Sequence, residues 1–288
     1  MRRQGGRDAG RGTLRTRVVK VGAVEIGPGR PLALIAGPCV LESDDVAFET
    51  AAAVRAVASR LGTPLVFKSS YWKDNRLSPG SYAGPGIDEG LRILAAVRKE
   101  FGLPVLSDVH ERQEVERAAE VLDALQIPAF LCRQTRLLEA AARTGKPLNI
   151  KKGQFMAPDD MGPVAAKAVM AGNDQVMLTE RGTSFGYHNL VVDMRSIPTM
   201  RALGHPVVFD ATHSVQLPGA AAGTSGGQPE FVPALARAAA AAGCDALFIE
   251  THPDPGRALS DAHSMVPLDG LEDVLAGAVA VARAVRGE

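Results

Sequence analysis

Residues 32–39, LALIAGPC, form a nearly continuous apolar run that ends in Gly-Pro-Cys. Seven further runs share this form, each a short apolar stretch followed by polar residues. They are PLVFKSS (64–70), PVLSDVH (104–110), ALQIPA (124–129), PLNIKKG (147–153), QVMLTER (175–181), PVVFDATH (206–213) and ALFIETH (246–252). Runs of this kind are typical of parallel strands that are buried on both faces. Eight of them predict a parallel sheet, provided that helices connect the strands.

The segments between these runs have helical periodicity, and several of them end in glycine, as helix C-caps prefer. Eight strands that alternate with helices predict an α/β fold, a (β/α)8 TIM barrel, which typically needs roughly 250 residues. The chain has 288 residues, so we expect one barrel domain over residues 18–288. It would start with a short N-terminal β-hairpin within VVKVGAVEIG (18–27). Residues 1–17 are rich in Gly and Arg and are expected to form a disordered tail.

Composition excludes several classes of function. The 32 basic and 32 acidic residues give a formal net charge of zero, which provides no footprint for nucleic acid or an anionic membrane. No apolar run reaches the roughly 18 residues that a membrane span needs, and residues 1–17 carry arginines without the apolar core of a secretion signal. We therefore expect a cytoplasmic protein. The three cysteines, Cys39, Cys132 and Cys244, are far apart in sequence and are interpreted as reduced thiols.

Basic residues accumulate at the ends of three predicted strands and in one following loop. Because strand ends converge on one face of the barrel, these side chains would focus positive potential at a single mouth. Arginine binds anions through a planar fork and lysine through a mobile point charge, so the mixture suits a small molecule with phosphate and carboxylate groups. The alternative is that they are solvated surface charges. The set comprises Lys68, Lys73, Arg76, Lys151, Lys152 and Arg181.

A second group of polar residues ends or follows predicted strands one, seven and eight: Cys39, His213, Glu250 and Asp261. These strands become neighbours when the barrel closes, so the four side chains could surround one cation. Sulfur, imidazole and carboxylate ligands together suit a divalent transition metal ion such as Zn, Fe or Mn, and not Ca or Mg. The alternative is that Cys39 is only a small buried side chain.

Two linkers interrupt the alternation of strands and helices, residues 71–86 and residues 217–230. Long connections without internal periodicity are uncommon in compact domains, except as lids or binding loops. Both linkers follow strands that end in polar residues. We therefore expect both to be lids over the mouth of the barrel.

Several segments together resemble the 3-deoxy-D-manno-octulosonate 8-phosphate synthase family, metal-dependent branch. They include IAGPCVLES (35–43), LPVLSDVHE (103–111), GKPLNIKKGQFMAP (145–158), LTERGTSFGYHNLVVDMRS (178–196) and FIETHPDPGRALSD (248–261). The resemblance covers nearly the whole chain after the tail. It implies a (β/α)8 barrel and a transferase that condenses phosphoenolpyruvate with arabinose 5-phosphate, releases inorganic phosphate and serves lipopolysaccharide synthesis. Two alternatives stay open, a related 3-deoxy-D-arabino-heptulosonate 7-phosphate synthase using erythrose 4-phosphate, and a barrel that binds without turnover.

The same resemblance implies roles for individual residues. Phosphoenolpyruvate would be bound by Lys68, Lys73, Lys151 and Arg181. The aldose phosphate would be bound by Asn75, Arg76, Ser78 and Asp108, with His110 near the sugar-binding floor. Direct catalytic roles would fall to Lys73, Asn75, His213 and Asp261. Phe130 and Arg133 match residues that reach a neighbouring subunit's site, which implies a homotetramer.

The family divides at the residue after Ala-Gly-Pro, where metal-dependent members have cysteine and metal-independent members have asparagine. Cys39 occupies this position, so the resemblance implies a metal site made of Cys39, His213, Glu250 and Asp261. The substrate loop departs from the family pattern at Asp74 and Leu77. Leu77 replaces a serine that would bond the aldose phosphate, and the loss of one hydrogen bond costs roughly 1 kcal/mol. We therefore expect weak arabinose 5-phosphate binding or a changed sugar.

Overall fold

The computed structural model describes residues 16–76, 78, 80–221 and 224–288. Its first two strands, β1 (Val19–Val21) and β2 (Val24–Ile26), pair antiparallel as the expected N-terminal hairpin. Most of the expected disordered tail, residues 1–17, lies outside the described residues. Thr16 and Arg17 are described, and they donate hydrogen bonds to carbonyl oxygens in the segment around residues 201–204.

Eight parallel strands close into a barrel, and this confirms the predicted (β/α)8 fold. The strands after the hairpin are β3 (Ala33–Gly37), β4 (Leu65–Lys68), β5 (Val105–Asp108), β6 (Ala124–Ile127), β7 (Leu148–Lys151), β8 (Val176–Glu180), β9 (Thr183–Ser184), β10 (Leu190–Val191), β11 (Val207–Asp210), β12 (Gln216–Ala221), β13 (Thr224–Gly227), β14 (Ala246–His252) and β15 (Val266–Pro267). The barrel consists of β3 to β8, β11 and β14. It closes because β14 pairs with both β11 and β3.

A helix follows each barrel strand. The helices are α1 (Asp44–Leu61), α2 (Ile87–Phe101), α3 (Arg112–Val121), α4 (Thr135–Arg143), α5 (Met161–Met170), α6 (Ser196–Arg201), α7 (Val232–Ala241) and α8 (Leu271–Arg286). Local sequence fixes their ends, as α1 illustrates. The Ser43 hydroxyl accepts a hydrogen bond from the backbone N–H of Val46 at 3.2 Å, and Gly62 ends the helix in a left-handed conformation.

Side chains along each barrel strand alternate between two apolar layers, which explains the continuous apolar runs. In β3, Leu34 and Ala36 pack towards the helices, whereas Ala33 and Ile35 point into the barrel. The inner layer also contains the apolar side chains of the N-terminal hairpin: Val19, Val21, Val24 and Ile26. The hairpin therefore closes the lower, N-terminal end of the barrel.

The next inward position on most strands is polar, and these residues form a second layer above the apolar one. The layer comprises Lys68, Asp108, Gln126, Lys151, Thr179, Asp210 and Glu250, all buried. Two residues along a strand separate it from the apolar layer, as Val66 and Lys68 of β4 or Phe248 and Glu250 of β14 illustrate. The barrel interior therefore changes from hydrocarbon to charge at its upper, C-terminal end.

One linker differs from its predicted form. The segment 217–230 is not irregular, because β12 and β13 pair antiparallel there. The described part of the segment 71–86 contains neither a helix nor a β-strand. All three cysteines are free thiols, as predicted. Among the described helices, none has the length and apolar character that crossing a bilayer requires.

Candidate active site

Two buried residues, Lys68 and Glu250, form an ion pair at the centre of the polar layer. The Lys68 Nζ lies 2.8 Å from Glu250 Oε1 and also donates to the carbonyl oxygen of Cys39 at 2.9 Å. Close contact between β3 and β4 makes this possible, because a Cβ on Gly37 would lie 2.0 Å from the Lys68 carbonyl oxygen. Glycine at position 37 therefore lets the end of β3 approach the lysine.

All four predicted phosphoenolpyruvate ligands line one inner chamber: Lys68, Lys73, Lys151 and Arg181. The Lys151 Nζ lies 3.4 Å from the centre of the Phe248 ring, and the Lys68 Nζ lies 5.4 Å from it. Arg181 is buried and donates from Nη2 to Gln216 Oε1 at 3.0 Å, whereas its Nε and Nη1 have no partner. Buried donors without a partner are costly, so this chamber is complementary to an anion.

Burial and neighbouring charges set the protonation states in the chamber. Burial lowers the pKa of Lys151 and of Arg181, because removal from water disfavours their charged forms. Burial opposes ionisation of Asp108, but the ammonium groups of Lys68 and Lys73 outweigh it and hold the pKa of this carboxyl below its usual range. Asp108 therefore stays ionised between cations.

A chain of hydrogen bonds crosses four strands, from β8 to β5, and ends on Asp108. The Thr179 hydroxyl donates to Asn149 at 2.6 Å, and the Asn149 amide donates to Gln126 at 2.9 Å. Gln126 and Ser70 then each donate to one Asp108 oxygen. Sequence reasoning missed this chain. The signal was available, since Gln126, Asn149 and Thr179 lie at the inward positions of otherwise apolar runs.

The four predicted metal ligands also meet, beside the chamber. Donor atoms of Cys39, Glu250 and Asp261 all lie within 4.8 Å of one another. The His213 Nε2 lies 3.7 Å from Glu250 Oε2 and 3.7 Å from Asp261 Oδ2. Asp261 has a left-handed backbone with φ of 50°, an unusual conformation for a non-glycine residue that often marks a functional site.

The chemistry of this donor set fits a bound transition metal ion. Burial, reinforced by Asp261 and Glu250, raises the pKa of the Cys39 thiol, which donates to Asp261 Oδ2 at 3.0 Å. Burial opposes ionisation of Glu250, but Lys68 outweighs it and lowers this pKa to about 2. The buried Glu250 Oε2 has no hydrogen-bond partner. A cation that replaced the thiol proton would satisfy this oxygen, and sulfur, imidazole and carboxylate donors are those that Zn, Fe and Mn accept.

An outer cleft of about 370 Å³ opens from the inner chamber towards solvent. Asn75, Phe130, Arg181 and His213 line both spaces. The two spaces therefore offer adjoining positions for two substrates.

The predicted aldose-binding loop lies at the edge of this cleft. Arg76 donates from Nη1 to the Ser260 hydroxyl at 2.7 Å and from Nη2 to the Leu259 carbonyl at 3.2 Å. Asp74 is exposed and accepts a hydrogen bond from the Trp72 indole, so it is engaged outside the cleft. Ser78 is half-buried and is absent from the described lining of both spaces. Leu77 lies outside the described residues.

The remaining predictions have mixed outcomes. His110 lines the inner chamber beside Asp108. Arg133 is exposed, and its described contact is its carbonyl oxygen, which accepts from Lys167 Nζ at 3.1 Å. The placement of Lys152 at the mouth is wrong.

Lys152 follows the inward-facing Lys151 and lies on the other side of the strand, as the period of two requires. Its Nζ is buried, 2.9 Å from Thr183 Oγ1 and 3.4 Å from Glu180 Oε1. The Glu180 Oε1 in turn accepts the backbone N–H groups of Arg181 at 3.0 Å and Gly182 at 2.7 Å. Lys152 therefore holds the turn that carries Arg181 rather than the chamber itself.

Asp210 is a site residue that the sequence analysis did not single out. It accepts hydrogen bonds from the His213 backbone N–H and from His213 Nδ1, both at 2.8 Å, and also contacts Lys151 Nζ. Burial opposes its ionisation, but His213 and Lys151 outweigh it and lower its pKa. Its position, two residues after the inward-facing Val208, was the available signal.

Comparison with known proteins agrees with this geometry. A 2-dehydro-3-deoxyphosphooctonate aldolase of Pelobacter propionicus is 57% identical over 271 residues, which cover 94% of this chain and 100% of the relative. Proteins of the same name from Acidithiobacillus ferrooxidans and Methylococcus capsulatus are 59% and 58% identical, over 87% of this chain and 89% and 88% of theirs. The model of the DAHP synthetase I family matches residues 14–283, and the chain belongs to this family.

Proposed function

We propose that the chain condenses phosphoenolpyruvate with arabinose 5-phosphate to give 3-deoxy-D-manno-octulosonate 8-phosphate and inorganic phosphate. The observation that carries the proposal is the inner chamber, where four basic side chains surround a space next to a sulfur, nitrogen and oxygen donor set. The relatives described above are named for a phosphooctonate product, which favours arabinose 5-phosphate over erythrose 4-phosphate.

The inner chamber suits phosphoenolpyruvate because basic side chains surround the chamber, whereas the ligand carries a negatively charged phosphate and carboxylate. In this proposal Arg181 takes the phosphate or carboxylate through its two unpaired nitrogens, and Lys68, Lys73 and Lys151 supply point charges around it. The contacts of Lys68 and Lys151 fix their ammonium groups before the ligand enters. Fixed charges need no rearrangement during the reaction, and most of the reduction in the barrier would come from this preorganisation.

The aldose phosphate would occupy the outer cleft, with its aldehyde towards the chamber and its phosphate towards Asn75 and Arg76. The π electrons of the enol form a bond from C3 to the aldehyde carbon, and the aldehyde oxygen takes up a proton. Water adds to C2 and loses one proton, which gives a phosphohemiketal. Its hydroxyl group then loses the second proton and forms the C2 carbonyl, while the bond from C2 to the phosphate oxygen breaks and inorganic phosphate leaves with the electron pair. Orientation of the two substrates in adjoining spaces supplies much of the rate. In this proposal His213 and Asp261, which both line the outer cleft, also assist proton transfer at the junction.

Metal dependence is part of the proposal, with Cys39, His213, Glu250 and Asp261 as ligands. A bound divalent ion supplies Lewis acidity and can lower the pKa of water. The carboxylates of Asp261 and Glu250, which help to raise the pKa of the Cys39 thiol, support this assignment because they would attract a cation. Metal binding would then release the thiol proton to solvent.

A homotetramer in the cytoplasm is the remaining part of the proposal. Phe130 is 55% exposed at the rim of its own cleft, and the exposed Arg133 follows it on the same turn. Exposed aromatic and arginine side chains are enriched at protein interfaces. They would complete the site of a neighbouring subunit in such an assembly.

The decisive experiment measures phosphate release from phosphoenolpyruvate with arabinose 5-phosphate, erythrose 4-phosphate and ribose 5-phosphate in parallel. We expect release with arabinose 5-phosphate, loss of turnover after chelation, and recovery on addition of Zn²⁺ or Mn²⁺. Release with erythrose 4-phosphate alone would assign heptulosonate synthesis instead. Binding of phosphoenolpyruvate without release in any mixture would indicate a barrel without turnover, and full activity in chelator would remove the metal from the proposal.

A further inference from the structure

Asp210 contacts one residue of the inner chamber, Lys151, and one residue of the candidate metal centre, His213. It is the last residue of β11, fully buried, and its Oδ2 contacts Lys151 Nζ and lies 2.8 Å from His213 Nδ1. Its Oδ1 accepts the His213 backbone N–H at 2.8 Å. One carboxylate therefore fixes both the ring and the backbone of His213.

This contact determines which imidazole nitrogen can bind a metal ion. A carboxylate only accepts hydrogen bonds, so His213 Nδ1 must carry the proton that it shares with Asp210. In the neutral ring the lone pair then lies on Nε2, the nitrogen that faces Glu250 and Asp261 at 3.7 Å. The opposite tautomer would place a proton at Nε2, towards the metal position.

Lys151 contacts the same carboxylate oxygen as His213 Nδ1. The Asp210 side chain is fully buried, and its Oδ2 lies between the Lys151 ammonium group and the His213 ring. The Asp210 carboxylate thereby connects Lys151 of the inner chamber to His213 of the candidate metal centre.

We propose that Asp210 is a positioning residue that holds His213 in the tautomer required for metal binding. The inference rests on the metal site of the proposed function, and it concerns a residue outside the ligand set. Carboxylates that accept from a ligating histidine commonly change metal affinity by tenfold to a hundredfold. We expect an effect of this size for Asp210.

The test compares the metal affinity of the wild type and Asp210→Asn, with Co²⁺ or Zn²⁺ alone and a competing chelator. The asparagine is nearly isosteric, but its amide can donate to His213 Nδ1 and so favours the wrong tautomer. We expect a tenfold to hundredfold loss of affinity and an altered visible spectrum of the Co²⁺ protein. Because no substrate is present, the result does not depend on whether the protein catalyses the proposed condensation.

Asp245→Asn is the matched control, since Asp245 is a buried carboxylate that accepts the backbone N–H of Val207 at the opposite end of β11. It should leave metal affinity within twofold of the wild type. If Asp210→Asn does not fold, Asp210→Ser replaces it, because a serine hydroxyl can still accept one bond from His213. The serine variant should lose less affinity than tenfold but more than the control.

Two results would overturn the inference. One is a folded Asp210→Asn protein, or Asp210→Ser in its place, whose metal affinity and Co²⁺ spectrum match those of the wild type. The other is a wild-type protein that binds neither metal ion, which would remove the metal site as well. Failure of condensation alone, with metal affinity still dependent on Asp210, would contradict the proposed function and leave this inference intact.

Discussion

The two halves of the barrel interior are built by the same strands but have opposite chemistry. In the lower half, side chains such as Ile35, Val66 and Leu106 pack against the N-terminal hairpin and bury hydrocarbon. In the upper half, the next inward positions of those strands carry Gly37, Lys68 and Asp108 instead. The residues that stabilise the barrel therefore lie one layer below the residues of the candidate site, and two positions along each strand separate the two layers.

Burial of the upper half stabilises the fold less than burial of the lower half. Its charges are compensated in pairs, as Lys68 with Glu250 and Lys151 with Asp210 show, and buried pairs add little net stability. The Glu250 Oε2 and two Arg181 nitrogens keep no partner at all. Unsatisfied buried groups of this kind are expected where a ligand supplies the missing contacts. The lower half gives the fold the stability that this arrangement requires.

The largest expected effect is a difference in kcat/KM between substitutions of two adjacent lysines, Lys151 and Lys152, whose side chains point to opposite sides of the barrel wall. Lys151→Met removes a charge from the inner chamber, and we expect kcat/KM for phosphoenolpyruvate to fall about 100-fold to 1000-fold. Each substitution breaks a buried ion pair, of Lys151 with Asp210 or of Lys152 with Glu180, and each should lower the free energy of unfolding by about 3 kcal/mol. Lys152→Met removes no charge from the chamber. Its kcat/KM should fall by less than tenfold.

Steady-state kinetics and urea denaturation of both variants check this contrast. The two proteins differ from the wild type by the same substitution at adjacent positions, so each serves as the control for the other. Equal losses of kcat/KM would show that the side of the strand does not decide the role of a lysine.

The barrel itself could be predicted from sequence because its signal is repeated. Strands buried on both faces give continuous apolar runs, and eight of them separated by helical segments leave few other folds. The position of the cationic residues and of the candidate metal ligands was also predictable, since polar residues at the ends of such runs must lie at one face. Lys68, Arg181, Cys39 and Glu250 all lie there.

Other features needed more than the presence of a charge at a strand end. Lys152 is as charged as Lys151, and only the alternation of side chains along the strand distinguishes them. The spacing from Val208 shows that Asp210 faces inward, but the sequence does not show its contacts with Lys151 and His213. The hairpin of β12 and β13 has a sequence of glycines and alanines that indicates a loop, but antiparallel pairing overrides this local preference.

The lower half of the barrel should respond to substitution in stability rather than activity. Ile35 is fully buried in the inner apolar layer, and Ile35→Ala should lower the free energy of unfolding by about 2–5 kcal/mol. The conservative Ile35→Val should cost about 0.5–1.5 kcal/mol. In both variants kcat/KM at 25 °C should stay within a few-fold of the wild type. Urea denaturation and kinetics measure the two quantities, and a variant with lost turnover but unchanged stability would contradict the separation of the halves.

The smallest expected effect is a difference in how the two halves respond to acid. Burial opposes ionisation of Glu250, but Lys68 outweighs it and lowers the pKa of Glu250 from 4.5 to about 2. A carboxyl with a depressed folded-state pKa contributes stability that is present above its unfolded pKa. This contribution is lost as the pH falls from 4.5 towards 2. One such group changes the free energy of unfolding by at most about 1.4 kcal/mol per pH unit.

Metal-free Glu250→Gln should therefore have a shallower dependence of unfolding free energy on pH than the wild type in this window, measured by urea denaturation at a series of pH values. Asp108 and Asp210, whose pKa values are also lowered, keep part of the slope in the variant. Ile35→Ala is the control, because an apolar change in the lower half should displace the curve without changing its slope. A Glu250→Gln curve parallel to that of the wild type would show that the buried pair with Lys68 does not hold the carboxylate ionised.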